Sequence, residues 1–187
     1  MEINNLLTCK NRYEFRDWLK IHHKEEKECF LILKRGKPVD DNTFYYLDAV
    51  EEALCFGWID STTKNINGVT YQRFSPRKKN SPWSELNKER AKRLIKLGLM
   101  TPAGRKILPK GKFKIDEEII SALKEARCYK TFKSFHPLYQ RVRAYNIMFY
   151  KDIDISLYNK ALNHLIEETK KGKMFGEWND YGRLLDY

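Results

Sequence analysis

Residues 51–87, EEALCFGWIDSTTKNINGVTYQRFSPRKKNSPWSELN, decide the fold of this chain. The stretch begins at the end of a helix pattern and continues through two strand patterns that flank a turn. A basic loop then leads to a serine that is able to cap the following helix. One Trp, one Asp and two Arg lie close together around the predicted hairpin, so we expect a functional site here.

The hairpin prediction rests on two strand patterns, 58–64 and 69–75, on either side of a loop rich in turn residues, Asn65-Ile66-Asn67-Gly68. A loop of these four residues would pair Asp60 with Arg73. Because side chains alternate along a strand, this register predicts a cross-strand ion pair between them. The same register divides the other side chains between a polar face, with Trp58, Thr62, Tyr71 and Ser75, and a core face, with Ile59 and Phe74.

Residues 85–97 have a helix pattern, with Ser84 as the N-cap and Gly98 at the end. The predicted buried stripe contains Leu86, Ala91, Leu94, Ile95 and Leu97. Asn87 and Arg90 fall inside this stripe, and a buried amide or guanidinium without a partner is costly. We expect the hairpin face or a bound anion to supply their partners.

Two helices and one strand are predicted upstream of this stretch. An amphipathic helix is capped by Asn11 and ends near Lys24. An apolar run at 28–34 predicts a strand. A second helix has Thr43 or Asp48 as its candidate cap.

The downstream chain is predicted to be helical. A short helix begins at Thr101-Pro102, and three longer helices follow at 117–126, 137–150 and 154–171. Short connections between them indicate a small bundle. The tail from Gly172 is rich in aromatic residues, so we expect it to pack back on the protein.

Together these elements predict an α+β fold, with a small antiparallel sheet that includes the β-hairpin, packed by helices and followed by a C-terminal helical bundle. We expect an α+β domain at 1–112 and a helical subdomain with the aromatic tail at 113–187. The length of 187 residues suits this organisation.

The basic charge of the chain is confined to one segment. The net charge is +11, but residues 64–112 contain 14 Lys or Arg and only two acids, so this segment alone has a charge of +12. Such a segment attracts phosphates and other polyanions. The simpler alternative is a solvated basic face that keeps the protein soluble.

Composition and spacing also favour a folded cytoplasmic protein. Hydrophobic residues make up 42% of the chain, and we find neither a leader pattern nor a stretch of transmembrane length. The four cysteines are far apart and the histidines lack ligand spacing, so we expect reduced thiols, no structural metal and no cofactor. Oligomeric state stays open.

Three linked motifs at 52–60, 73–77 and 81–87, continued at 98–104, resemble the YdeI/OmpD-associated family, also called bacteriocin-protection proteins. At 154–161 the chain lacks the arginine-rich C-terminal signature that is common in that family. The resemblance implies a role in envelope stress or bacteriocin protection. It implies no particular reaction.

The hairpin, the basic loop and the next helix together supply the predicted ligand-binding residues. The arginines would provide pairs of N–H donors for an anion, and the free amides at the start of the helix would also favour an anion. The tryptophans would offer flat surfaces for a base or ring. The alternative is that the ion pair, the cap and the tryptophans are purely structural. The candidates are Trp58, Asp60, Arg73, Ser75, Arg77, Ser81, Trp83, Ser84, Asn87 and Arg90.

Catalytic motifs are lacking in the sequence. There is no P-loop, G-x-G-x-x-G or G-x-S-x-G pattern. Cys55 lies near a basic loop, which can activate a thiol, but core packing is the favoured interpretation.

Three functional hypotheses follow. The first is a non-catalytic binder of an anionic, phosphate-bearing ligand, either a small molecule or a nucleic acid. The second is an enzyme acting on a small phosphorylated or nucleotide-like substrate, with Asp60 as general base and Arg73 as charge stabiliser. The third is a basic protein-interaction module.

Overall fold

The computed structural model describes residues 3–187, and across these residues the chain forms eight helices and three strands. The predicted α+β class is confirmed, because the strands form one antiparallel sheet and helices make up most of the remaining structure. In chain order the elements are α1 (Arg12–His22), β1 (Cys29–Leu31), α2 (Tyr46–Cys55), β2 (Trp58–Ile66), β3 (Val69–Pro76), α3 (Glu85–Lys96), α4 (Pro102–Lys106), α5 (Glu117–Glu125), α6 (Tyr129–Ser134), α7 (Pro137–Lys151) and α8 (Ile155–Lys170).

The chain divides into two compact units. Unit 1 comprises Met1–Pro82, Arg90–Leu108 and Tyr187, and unit 2 comprises Trp83–Glu89 and Pro109–Asp186. The division therefore falls within α3. The domain bounds expected from the sequence, 1–112 and 113–187, stay a prediction.

The sheet of unit 1 has the order β1-β3-β2, so β3 is the central strand. The predicted four-residue hairpin loop is wrong, because Ile66 pairs with Val69 and the turn contains only Asn67 and Gly68. Both turn residues have positive φ angles, 51° and 80°. A two-residue turn of this kind matches the twist of the adjoining strands, and Asn-Gly is its preferred sequence.

The shorter turn and an irregularity in β2 change which side chains share a face. The register shifts between Asp60 and Thr63, and Asp60 lies opposite Phe74 rather than Arg73. Trp58 and Phe74 are both buried, at 1% and 0% exposure, so Trp58 belongs to the core face and not to the polar face. Ile59 is only partly buried. The predicted assignment of faces was therefore wrong for Trp58, Asp60 and Ile59.

Aromatic rings form much of the core of unit 1. The Phe15 ring of α1 lies 5.5 Å from that of Phe74 and 5.9 Å from that of Phe44. Trp18 meets the edge of Trp58 at 5.7 Å. These contacts hold α1 against the sheet, and edge-on or tilted ring pairs are the preferred arrangement.

Helix α1 begins as predicted, whereas β1 and α2 differ in their bounds. Asn11 caps α1 by accepting hydrogen bonds from the Tyr13 and Glu14 amides. Strand β1 is limited to three residues, because the chain then leaves the sheet and Lys34 pairs with Tyr45 instead. Tyr45 occupies the N-cap of α2, so the predicted caps Thr43 and Asp48 were wrong.

Helix α2 carries two buried carboxylates that bind arginines of unit 1. Glu51 and Glu52 are 0% and 2% exposed. Glu52 accepts hydrogen bonds from Arg12 Nε at 2.8 Å and from Arg16 Nη1 at 2.6 Å. Glu51 accepts one from Arg93 Nη1 at 2.7 Å. This network joins α1 and the unit 1 part of α3 to α2.

Helix α4 packs directly on the end of α2. Thr101 caps α4 and also donates a hydrogen bond from its hydroxyl to the Cys55 carbonyl at 2.6 Å. A side chain at Gly104 would place its first carbon 2.4 Å from the same carbonyl oxygen. Only glycine permits so close an approach between the two helices.

Unit 2 contains α5 to α8 around a second hydrophobic cluster that includes Leu123, Phe132 and Leu165. Helices α5, α7 and α8 lie close to their predicted bounds, but α6 was not predicted. The tail packs back as expected, because Trp178 and Leu184 are buried in this cluster.

The first turn of α3 belongs to unit 2. The predicted cap is confirmed, since Ser84 Oγ accepts a hydrogen bond from the Asn87 amide at 3.2 Å. Arg141 of α7 pairs with Glu85 at 3.2 Å and with Glu89 at 2.7 Å. Just beyond the end of α3, in unit 1, Leu97 is 46% exposed, so its predicted burial was wrong.

The buried network of α2 predicts a large effect for Glu52→Ala. The substitution leaves Arg16 without a carboxylate and removes one of the three acids that bind Arg12. Because the site is poorly hydrated, we expect a loss of about 3–5 kcal/mol in the free energy of unfolding. Urea denaturation measures this loss. The matched control is Asp17→Ala, which removes an exposed ion pair with Lys20 and should cost no more than about 1 kcal/mol. Equal losses in the two variants would contradict the prediction.

The two-residue turn predicts that Gly68 tolerates substitution less well than Asn67. Gly68→Ala should lower the free energy of unfolding by about 1–2 kcal/mol, because the left-handed conformation disfavours a β-carbon. Asn67→Gly keeps a residue suited to positive φ and should change stability by less than about 0.5 kcal/mol. Thermal or urea unfolding of both variants distinguishes them, and a neutral Gly68→Ala would argue against this turn.

Candidate functional site

The predicted ligand-binding residues are divided between the two units. Trp83, Ser84 and Asn87 belong to unit 2, where Ser84 caps α3 through the Asn87 amide. The others belong to unit 1: Trp58, Asp60, Arg73, Ser75, Arg77, Ser81 and Arg90.

Asp60 and Arg73 do not form the predicted ion pair. Asp60 accepts a hydrogen bond of 2.5 Å from the Tyr46 hydroxyl at the start of α2. Arg73 instead binds Glu28 through Nε at 2.6 Å and Ser61 Oγ through Nη1 at 3.1 Å. The reason is the register, which places Asp60 opposite Phe74 and Arg73 opposite Phe30 of β1. The proposed pairing of a base with a charge stabiliser therefore loses its geometric basis.

Tyr46 is the centre of a polar cluster in unit 1. The Arg35 guanidinium lies 3.7 Å from the centre of its ring and donates a hydrogen bond to Gln72 Oε1 at 2.6 Å. Burial and the neighbouring Asp60 carboxylate raise the pKa of Tyr46, and the charges of Arg90 and Arg35 offset this only in part. The cluster therefore favours a neutral tyrosine that donates a hydrogen bond to a carboxylate.

Neither predicted tryptophan offers an open surface for a base. Trp58 is 1% exposed and donates a hydrogen bond from Nε1 to the His23 carbonyl at 3.0 Å. Trp83 is 8% exposed. Stacking of successive bases requires an accessible ring face. The predicted stacking role is therefore wrong for the observed conformation.

The basic loop after β3 is held by hydrogen bonds to backbone carbonyls, both its own and that of Gly57. The Arg77 amide donates to the Gly57 carbonyl at 2.9 Å, and Arg77 Nη2 donates to the Pro82 carbonyl. Ser81 Oγ donates to the Lys78 carbonyl at 2.9 Å. Arg77 and Ser81 thus shape the loop, while Ser75 lies opposite Ile59 within the sheet.

Gly57 brings two basic segments of unit 1 close to each other. The Arg77 amide bonds to its carbonyl, and a side chain at Gly57 would lie 3.2 Å from the Ala103 carbonyl oxygen in α4. The cations that follow these two contacts are Lys78, Lys79, Arg105 and Lys106, here called the Gly57 basic surface. All four are exposed, and none has an ion-pair partner among residues 3–187.

Cys55 is suited to packing rather than to nucleophilic chemistry. It is fully buried. Burial and the nearby Glu52 charge raise its pKa to about 11, although Arg16 partly opposes this shift. A thiol must ionise to attack, so this environment disfavours reaction near neutral pH. In the part of the chain that the structure describes, no three His, Cys, Asp or Glu side chains are grouped to hold a metal ion.

No helix within residues 3–187 is both long and apolar enough to span a bilayer.

Sequence patterns missed Tyr46, Arg35 and the buried acids of α2. Tyr46 and Asp60 are 14 residues apart, and Arg35 and Gln72 are 37 residues apart, so no local spacing links them. The need of Glu51 and Glu52 for cationic partners was easier to predict from the sequence. They lie among apolar residues on one short helix, and buried carboxylates there require cationic partners.

The Tyr46–Asp60 hydrogen bond predicts that Tyr46→Phe destabilises the protein by about 1.5–3 kcal/mol near neutral pH, because Asp60 loses its donor. The raised pKa of Tyr46 means that its contribution is complete below the ordinary tyrosine pKa of about 10. The contribution disappears as pH rises through the pKa of the folded state. Urea unfolding between neutral and alkaline pH measures the effect.

The matched control is Tyr13→Phe, which alters a tyrosine that is 72% exposed. Its stability should follow that of the unsubstituted protein across the same pH range. A loss that is no larger in Tyr46→Phe than in Tyr13→Phe would refute the role assigned to this hydrogen bond.

Comparison with known proteins gives one match. A model of the family described as a domain of unknown function, DUF8412, matches residues 7–107, which is more than half of the chain. Neither the curated proteins nor the solved structures contain a significant match. The matched residues include the sheet, the buried carboxylates of α2 and the Gly57 basic surface, and the chain belongs to the DUF8412 family.

Proposed function

We propose that this protein is a non-catalytic binder of an anionic, phosphate-bearing ligand and that the Gly57 basic surface receives it. The observation that carries the proposal is the exposure of its four cations, each without an ion-pair partner among residues 3–187. All four belong to the segment that holds the whole excess of positive charge. Unpaired exposed cations remain available for phosphate groups.

The side-chain contacts favour other ligand-binding residues than the arginines expected from the sequence. Arg73 is engaged by Glu28, and Arg77 donates to the Pro82 carbonyl. An arginine that already binds a carboxylate has less to offer an incoming anion. Lys78 and Lys79 on the loop, with Arg105 and Lys106 on α4, are therefore the better candidates.

Spacing along two short segments favours an extended ligand with more than one phosphate. Two adjacent cations lie on the loop and two on α4, and both segments approach Gly57. A single-stranded nucleic acid or a nucleotide fits this description. The resemblance to bacteriocin-protection proteins adds a physiological expectation to the proposal, namely a role in envelope stress.

Fluorescence anisotropy with labelled oligothymidine and a fluorescent ATP analogue tests the proposal at about 50 and 200 mM NaCl. The test variant replaces Lys78, Lys79, Arg105 and Lys106 with Ala. Each phosphate contact with a single strand contributes about 0.7 to the salt slope. The variant should therefore bind oligothymidine at least about tenfold more weakly at low salt and with a smaller slope.

The matched control removes four exposed lysines elsewhere in unit 1, namely Lys10, Lys24, Lys27 and Lys37. It has the same net charge as the test variant, so it separates a localised site from general attraction. Equal weakening in both variants, or no binding by the unsubstituted protein, would reject the Gly57 basic surface as the site.

A further inference from the structure

In unit 2, one edge of the Arg143 guanidinium is buried without a hydrogen-bond acceptor in the part of the chain that the structure describes. Among residues 3–187, Arg143 Nε and Nη2 are both buried and neither has a partner. Burial lowers the pKa of Arg143, and the nearby Tyr139 and Glu177 oppose this only in part. By contrast, Arg141 on the same helix is paired with two carboxylates.

The two unpartnered nitrogens form one side of the guanidinium fork. Nε–H and Nη2–H point in parallel from this side, which matches the two oxygens of a carboxylate. A folded protein rarely leaves such donors buried without an acceptor, and each exception calls for an explanation such as an ion or a ligand.

A second unpartnered group lies on the same helix one turn earlier. Tyr139 is 0% exposed, and its hydroxyl makes no hydrogen bond of good geometry within the described residues, although it lies near the Phe175 backbone amide. Its ring centre lies 5.7 Å from the Arg143 guanidinium. Burial raises the pKa of Tyr139, whereas the Phe175 backbone amide and the Arg143 charge act in the opposite direction.

The C-terminal segment of unit 2, residues 172–186, covers this group. The Phe175 ring lies 4.6 Å from the Arg143 guanidinium, and a side chain at Gly176 would lie 2.6 Å from Nη2. The segment forms no helix or strand. A ligand reaches the fork when the part of the segment around Phe175 and Gly176 moves away from Arg143. Trp178 and Leu184, further along, hold the rest of the segment in the unit 2 cluster.

We infer that Arg143 and Tyr139 form a binding site for a carboxylate group, closed by the C-terminal segment. One guanidinium and a neutral phenol balance a single negative charge, and Glu177 and Glu168 lie near enough to disfavour a dianion. The rings of Phe175, Tyr139 and His164, the last 4.3 Å from Phe175, surround the site with apolar surface. The preferred ligand is therefore a monocarboxylate rather than a phosphate.

Side-chain NMR of the full-length protein tests this inference. The Nε–H signal of Arg143 is followed during titration with sodium acetate, with sodium chloride keeping the ionic strength constant. We expect a saturable shift of this signal, and a weaker response to inorganic phosphate. A signal that does not respond, that shifts without saturation, or that responds more tightly to phosphate would overturn the inference.

Variants provide an independent measurement through the rise in Tm with acetate, since a ligand that binds only the folded state stabilises it. Arg143→Lys keeps the charge but loses the fork, and it should lose this rise. Arg127→Lys makes the same change at an exposed position of unit 2 and should retain it. Equal rises in both variants would overturn the inference.

The chain's own Glu177 is the competing acceptor. If the site is open to an external carboxylate, Glu177→Gln should change the affinity for acetate by less than about threefold. A gain of about tenfold or more would mean that Glu177 occupies the Arg143 fork in solution, and this would overturn the proposed ligand site.

Discussion

The structure of unit 1 depends on the buried carboxylates of α2 and the arginines that meet them. Glu52 binds Arg12 and Arg16 of α1, while Glu51 binds Arg93 of α3. Burial by itself would lower the pKa of Arg12, but the charges of Glu52 and Glu51 reverse the effect, so the pKa of Arg12 is raised. Buried charges are tolerated only with such partners, and the partners therefore restrict how the helices can pack.

Arginines that bind carboxylates of the chain have a structural role, whereas the other cations are the candidates for binding a ligand. Arg73 binds Glu28 across the sheet and Arg141 binds two acids at the start of α3. Two groups of cations differ from these paired arginines: one group is exposed and the other is buried. The Gly57 basic surface is exposed and suits a solvated polyanion, whereas the Arg143 fork is buried among rings and suits one small charge. Burial thus distinguishes the kinds of anion that each group would bind.

Several features of this chain could be predicted from short-range patterns. Asn11 and Ser84 cap their helices as expected, because a cap is made with amides only two or three residues away. The aromatic tail packs through Trp178, as its composition indicated. The hairpin itself was also predicted, but its pairing was not. A difference of two residues in the loop, together with the irregularity after Asp60, moved Trp58 and Asp60 away from Arg73.

The sequence by itself determined the α+β class, the approximate positions of most helices and the segment with excess positive charge. Those properties follow from composition, periodicity and caps, which act over a few residues. Only the tertiary structure decided that Asp60 meets Tyr46, that Arg73 meets Glu28 and that Arg143 Nε and Nη2 have no acceptor among residues 3–187. Such partners are selected by strand register and helix packing, which join residues far apart in the chain. A charged side chain is therefore visible in the sequence, while its availability to a ligand depends on the fold.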